Sequence, residues 1–191
     1  MAQKKDEQKR ISIFDATLTL VLQTGYTGLK MADVAKKAGV ATGTVYKYFP
    51  SKESLIDDLF LHQKEIKLKE MTEGYQPGEP FLVSFKRMWT NYFMGCINNP
   101  ERMIFIEQFY RSPYISASTR EKAGIMIQPS EHLLSMAIQQ QLIRDLPVSV
   151  LLSQLMGAAN EIARFHIDAA QIPANEQLEQ YFEMNWNSIR R

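Results

Sequence analysis

The run Gly25–Leu55, GYTGLKMADVAKKAGVATGTVYKYFPSKESL, decides the fold. It reads as two short helices joined by a tight turn. Ala35 is a small residue where two helices must approach closely. Gly39 follows where the turn calls for a positive φ and any Cβ would be costly. Val45 falls on the inner face of the second helix, and Val34, Ala38 and Val40 are also apolar. This is the pattern of a helix-turn-helix, whose second helix enters the DNA major groove.

Working outward, nearly every segment has helical period. Ile11, Phe14, Leu18, Val21 and Leu22 form an apolar stripe along a first helix that Gly25 caps. The next two helices are expected at 31–38 and 42–48. Ser51 looks like an N-cap, with Ser54 at the place where a Glu would complete a capping box. A long helix, 52–72, follows with Leu55, Ile56, Leu59, Phe60 and Ile66 facing inward. Gly74, Pro77, Gly78 and Pro80 then break the pattern. Further helices are expected at 81–97, 101–111, 116–141, 147–169 and 174–190, with a kink or split at Pro129. No alternating strand pattern survives. The chain is expected to be all-α, about nine helices: a three-helix reading head at 1–51 and a helical ligand-binding and dimerisation bundle at 52–191.

At 191 residues and 45% hydrophobic, the chain can bury a substantial core. No apolar run is long enough to span a membrane, and the charged start MAQKKDEQKR does not read as a secretory signal. The lone Cys96 excludes an intramolecular disulfide and suits a reducing, cytoplasmic setting. Net charge is +1 but unevenly spread. Residues 1–52 hold nine basic groups (Lys4, Lys5, Lys9, Arg10, Lys30, Lys36, Lys37, Lys47, Lys52) against four acids (Asp6, Glu7, Asp15, Asp33), a surplus of five. The remainder therefore carries a deficit of four. A basic end on an acidic protein suits contact with phosphate through that end.

With these residues in place, the sequence resembles the TetR family of one-component bacterial transcriptional regulators. The likeness is carried by GY…MADVAKKAGVATGTVYKYFPSKESL and the amphipathic helix before it, and is specific over about residues 10–60. A looser likeness to the family's multidrug-sensing members lies in Leu59–His62 and Trp89–Pro100. The resemblance implies DNA contacts at Thr42, Gly43, Thr44, Tyr46, Lys47, Tyr48 and Lys52. Thr42 and Thr44 reach base edges or phosphates, and Gly43 lets the backbone come close. Tyr46 offers a phenol to phosphate, and Lys47 points at a guanine edge or a phosphate. Lys52, at a helix N-terminus, grips a phosphate together with the helix N–H groups. Tyr48 is included on the resemblance alone, whereas Phe49 is left to the core.

Two departures stand out. Lys30 occupies the usual Ser or Thr position, losing a cap but keeping a longer-range phosphate contact. Ala41 occupies the usual Ser position, which pushes capping onto Thr42.

Residues 81–110 are rich in aromatic groups at helical spacing, which by itself describes an ordinary bundle core. The resemblance implies a ligand cavity in these helices, lined by Met88, Trp89, Tyr92, Phe93, Phe105, Glu107, Phe109, Met126 and Asn160. Trp89 would stack on a planar ligand and Glu107 would balance a cationic one. Of Asn160 and Glu161, one would orient the ligand while the other faces solvent. The stripes Leu152, Leu155, Ala159, Ile162, Phe165 and Leu178, Tyr181, Phe182, Trp186 would form a two-fold dimer interface through the last two helices.

The expected function is a repressor that binds a pseudo-palindromic double-stranded DNA operator as a homodimer and is released by a hydrophobic or amphipathic effector. No cofactor, metal, catalytic residue or membrane partner is expected. The alternatives are a helical small-molecule-binding or adaptor protein without DNA activity, and a metal-dependent bundle enzyme built on His62-x-x-Glu65.

Overall fold

In the computed structural model, residues 2–191 are described, the side chains from residue 6 onward. Among the described residues there are nine helices: α1 (Ala2–Gly28), α2 (Met31–Lys37), α3 (Thr42–Tyr48), α4 (Lys52–Met71), α5 (Phe81–Asn98), α6 (Pro100–Tyr110), α7 (Ala117–Gln139), α8 (Val148–Asp168) and α9 (Asn175–Ile189). The only β pairing among them is an isolated antiparallel bridge, Ile143 to Arg190.

Glycine and serine chemistry sets the boundaries. Gly25 takes φ 68° and ψ 174°, so α1 is interrupted there before a last turn to Gly28. Gly39, at φ 67°, closes α2 in a Schellman arrangement. The Val40 N–H reaches back to the Ala35 carbonyl at 3.0 Å, and the Gly39 N–H to that of Lys36 at 3.3 Å. At the start of α4, Ser51 Oγ accepts from the Ser54 N–H and Ser54 Oγ accepts from the Ser51 N–H, both at 3.1 Å. Ser54 thus does the work expected of a Glu.

One expectation is corrected. Thr42 does not take over the cap of α3: Ala41 is the N-cap and no side chain bonds there, because Thr42 already lies inside the helix. Of the kink or split expected at Pro129, the split does not occur: α7 runs from Ala117 to Gln139 with Pro129 inside it.

The chain forms two compact units, residues 1–64 with 101–123 and residues 65–100 with 124–191. They divide the chain at other places than 51/52. The first takes in α6 because Phe105, Ile106 and Phe109 are buried in one cluster with Phe14, Val45, Phe49, Leu55, Ile56, Leu59 and Phe60. In that unit α2 packs on both α1 and α3.

In the second unit α5 packs against α8 and α9. This turns part of the expected dimer stripes inward: Leu155, Ala159 and Phe182 are buried. Phe182 packs on Phe85 and Trp89, and Trp186 on Phe81 and Phe85. Phe165 instead stands out, at 65% exposed. The α5 aromatics compete successfully for the apolar sides of α8 and α9 because each large ring removes 150–250 Å² from water, as a rough range for aromatic side chains. No helix among the described residues is long and apolar enough to cross a membrane.

Candidate nucleic-acid interface

α3 has only seven residues, so its stability comes from packing rather than from its own hydrogen bonds. Val45 is fully buried and anchors the helix in the first unit's core, with Phe49 buried just after its end. That anchorage turns the opposite face outward. Thr42, Gly43, Tyr46 and Lys47 are exposed, and Thr44 and Tyr48 are half-buried. Lys30, Lys36 and Lys37 are exposed on the neighbouring helix. As the sequence suggested, Lys30 stands at the N-cap of α2 and makes no side-chain cap.

Two of these side chains are already engaged. The Tyr48 hydroxyl donates to Asp6 Oδ1 at 2.6 Å. This bond holds the Asp6 carboxyl below its ordinary range and pushes the Tyr48 phenol above its own. The Lys52 ammonium donates to the Tyr26 carbonyl at 3.1 Å and lies 4.3 Å from the Tyr26 ring centroid. The Tyr26 hydroxyl in turn donates to Glu53 Oε1 at 2.7 Å. Burial first, and the Glu53 bond second, push the Tyr26 phenol up to about 12. Its folded value is raised, so its contribution is complete below 10 and is lost as pH rises through about 12. The same bond lowers the Glu53 carboxyl, whose contribution is present above 4.5 and fades as pH falls through the lowered value. Sequence gives no sign of Asp6 or Tyr26 as partners here, since nothing in a single sequence pairs position 6 with 48, or 26 with 52.

The residues expected to line a cavity fall into both units. Phe105, Glu107 and Phe109 belong to the first; Met88, Trp89, Tyr92, Phe93, Met126 and Asn160 belong to the second. In the second unit Trp89 stacks on Phe93, with centroids 5.2 Å apart and planes within 6°. The Tyr92 hydroxyl donates to Asn160 Oδ1 at 2.8 Å and accepts from the Lys67 ammonium at 3.0 Å. Asn160 is therefore the inward member of its pair, and Glu161 is the exposed one, 3.7 Å from Arg164. The Trp89 indole N–H is buried without an acceptor. Cys96 is buried beside Asn160, its Sγ 3.7 Å from Oδ1. Lys67 was missed from sequence because a lysine on a long helix ordinarily reads as solvated.

His62 stacks on Phe14 at 4.8 Å, and no group of three or more potential metal ligands occurs among the described residues.

A seven-residue helix anchored by one valine, exposing a threonine, a glycine, a tyrosine and a lysine beside a basic α2, defines a helix-turn-helix DNA-binding protein. Residues 13–59 match the model of bacterial regulatory proteins, tetR family, and residues 80–190 match that of the tetracyclin repressor-like, C-terminal domain. The chain belongs to the TetR family of transcriptional regulators, and is not an enzyme.

An HTH-type transcriptional regulator of Haemophilus influenzae is 26% identical over 136 residues, covering 64% of this chain and 73% of that one. The structure of a TetR family transcription regulator from Marinobacter aquaeolei matches with a TM-score of 0.91 at 20% identity, covering 98% of each chain. FadR of Bacillus subtilis, solved in complex with stearoyl-CoA, matches with a TM-score of 0.72 at 19% identity over 92% of this chain and 96% of that one. These two structural likenesses bear on the fold alone.

Proposed function

We propose that this regulator is a ligand-responsive repressor that binds a pseudo-palindromic operator as a homodimer and lets go when an amphipathic small molecule binds. Residues 1–51 act as the reading head and 52–191 as the effector and dimerisation region, in the cytoplasm. The carrying observation is the outward face of α3, where Thr42, Gly43, Tyr46 and Lys47 are exposed opposite buried Val45. Thr42, Thr44 and Lys47 read base edges or phosphates. Tyr46, Tyr48, Lys30 and Lys52 hold the backbone. Lys52 has donated one N–H to the Tyr26 carbonyl and keeps two for a phosphate oxygen.

The effector site is assigned to Met88, Trp89, Tyr92, Phe93, Met126 and Asn160 in the second unit. Phe105, Glu107 and Phe109 have a weaker claim, because Phe105 and Phe109 are committed to the first unit's core. Flat aromatic walls and the Lys67–Tyr92–Asn160 row suit a molecule with a long apolar body and an acidic head. FadR of Bacillus subtilis, which shares this fold, is solved in complex with stearoyl-CoA, a molecule of that class. Dimer contact through α8 and α9 is supported by exposed Val150, Phe165 and Met184, at 50%, 65% and 63%. Two-fold symmetry would set the α3 helices about 34–36 Å apart.

Release requires that the effector bind the DNA-incompetent state more tightly than the competent one. The test is selection of a duplex from a random-sequence pool, followed by titration of the complex with a long-chain acyl thioester. An inverted-repeat site and weakened binding on titration are expected. A selected site without two-fold symmetry contradicts the dimeric operator, and saturation of the protein with no loss of DNA affinity contradicts the coupling.

A further inference from the structure

We propose that Tyr114, which lies between α6 and α7 and far from the reading head in sequence, acts with Tyr26 as a positioning residue for the Lys52 phosphate contact. This rests on the reading of Lys52 just given.

The Tyr26 and Tyr114 rings stack face to face, 4.0 Å between centroids and 15° between planes. Tyr26 is thereby held at three points: its ring by Tyr114, its hydroxyl by Glu53, and its carbonyl by the Lys52 ammonium, which also lies against its ring. A lysine side chain ordinarily loses rotamer entropy when its ammonium is fixed. Here the ammonium is held before DNA arrives, so less of that cost remains for binding.

Tyr114 is itself firmly placed. Ile115 beside it is buried at 1%. The Ser116 N–H donates to Asp57 Oδ1 at 3.0 Å, one turn along α4 from Glu53. The Arg120 guanidinium donates to the carbonyls of Ser112 and Ile115 at 3.1 and 2.7 Å. Meanwhile Tyr114 stays 40% exposed, so its ring is poorly used as core filling. Its ring lies face to face with Tyr26, the residue that holds Lys52, and 6.2 Å from the Phe109 ring. The segment 112–116 therefore extends the DNA-binding apparatus beyond residues 13–59, where the family's reading-head model ends.

The experiment is fluorescence anisotropy with the full chain and a labelled duplex selected from a random pool, repeated over a salt series. The variants are Tyr114→Ala, Tyr114→Phe, Lys52→Met and the double Tyr114→Ala/Lys52→Met, with thermal melts as the control for folding. Tyr114→Ala should weaken binding about three- to tenfold, the scale of a lost cation–π and stacking arrangement. It should also flatten the slope of log K against log salt by up to about 0.9 per protomer, the share of one phosphate. Tyr114→Phe, which keeps the ring, should behave as the parent. In the Lys52→Met background Tyr114→Ala should have no further effect.

An equal loss with and without Lys52, at unchanged salt slope, overturns the positioning role and leaves Tyr114 a packing residue. If Lys52→Met alone changes neither affinity nor slope, the Lys52 reading itself fails, and this proposal with it. Should Tyr114→Ala melt early, Tyr26→Leu carries the same test, since it keeps the carbonyl and removes the ring. A loss that Lys52→Met abolishes supports the proposal; a loss that persists overturns it.

Discussion

The hydroxyl of Tyr48, at the end of the recognition helix, donates to the carboxylate of Asp6, on the first turns of α1, at 2.6 Å. Asp6 is an acid on a surface otherwise surplus in base, and it occupies the donor that Tyr48 would offer to DNA. Replacing Asp6 by Asn removes a charge that repels phosphate and weakens the hold on Tyr48. Operator binding should tighten about two- to fivefold, an effect in the range of rim charges at interfaces and larger at low salt. Titration in a salt series checks this; weaker binding by the Asn variant would count against it. The bond is insensitive to pH near neutrality. Asp6 has a lowered folded value, so its contribution is present above the ordinary 3.8 and fades as pH falls through the lowered one. Tyr48 has a raised value, so its contribution is present below 10 and fades as pH rises through the raised one.

Gly39 sits at φ 67° with nothing within 4 Å of where a Cβ would stand. Gly39→Ala therefore meets no clash and tests the backbone alone. A non-glycine residue in this conformation costs roughly 1–2 kcal/mol. A urea melt should show that loss with an unchanged m-value. No loss would mean that the turn tolerates L-residues.

The reciprocal Ser51–Ser54 cap leaves little slack at the head of α4. Ser51→Ala removes the acceptor for the Ser54 N–H and should destabilise the chain by about 1 kcal/mol. Ser54→Glu should retain the cap, because a carboxylate at that position also reaches back to the Ser51 N–H. Paired thermal melts distinguish the two substitutions.

Phe165 is 65% exposed on α8, on the same side as exposed Val150, Gly157 and Glu161. Phe165→Glu should leave the far-UV spectrum of the chain unchanged and shift its sedimentation from dimer to monomer. Affinity for a two-half-site duplex should fall at least about tenfold, since the second half-site no longer binds intramolecularly. A variant that still sediments as a dimer removes Phe165 from the interface.

Local chemistry was legible in the sequence; pairing across the chain was not. The helix-turn-helix was plain because Ala35, Gly39 and Val45 each meet a steric demand at a set spacing, and α2 and α3 lie within a residue of where that spacing puts them. Proline and glycine marked the later helices almost as well. Periodicity cannot say which apolar face of a helix meets which neighbour. Leu155 and Ala159 in the α8 stripe and Phe182 in the α9 stripe therefore read as interface residues, although they are buried within the chain, where α5 packs on both helices. The resemblance groups Phe105 and Phe109 with Trp89, yet both are buried in the first unit's core cluster, Phe105 with its ring 6.4 Å from that of Phe60 on α4. Asp6 with Tyr48, and Tyr26 with Tyr114, are contacts over 42 and 88 positions, with no short-range trace.

The outward face of α3 together with Lys52 is held to carry DNA binding, and one affinity measurement bears on this most directly. The full chain and its Tyr46→Ala/Lys52→Met variant are titrated against the same selected duplex at fixed salt. Contacts to charged groups are worth ~1.5–3 kcal/mol each, so the variant should bind at least about tenfold more weakly while melting at the parent's temperature. Equal affinity of the two proteins would contradict the assignment and place DNA recognition elsewhere on the chain.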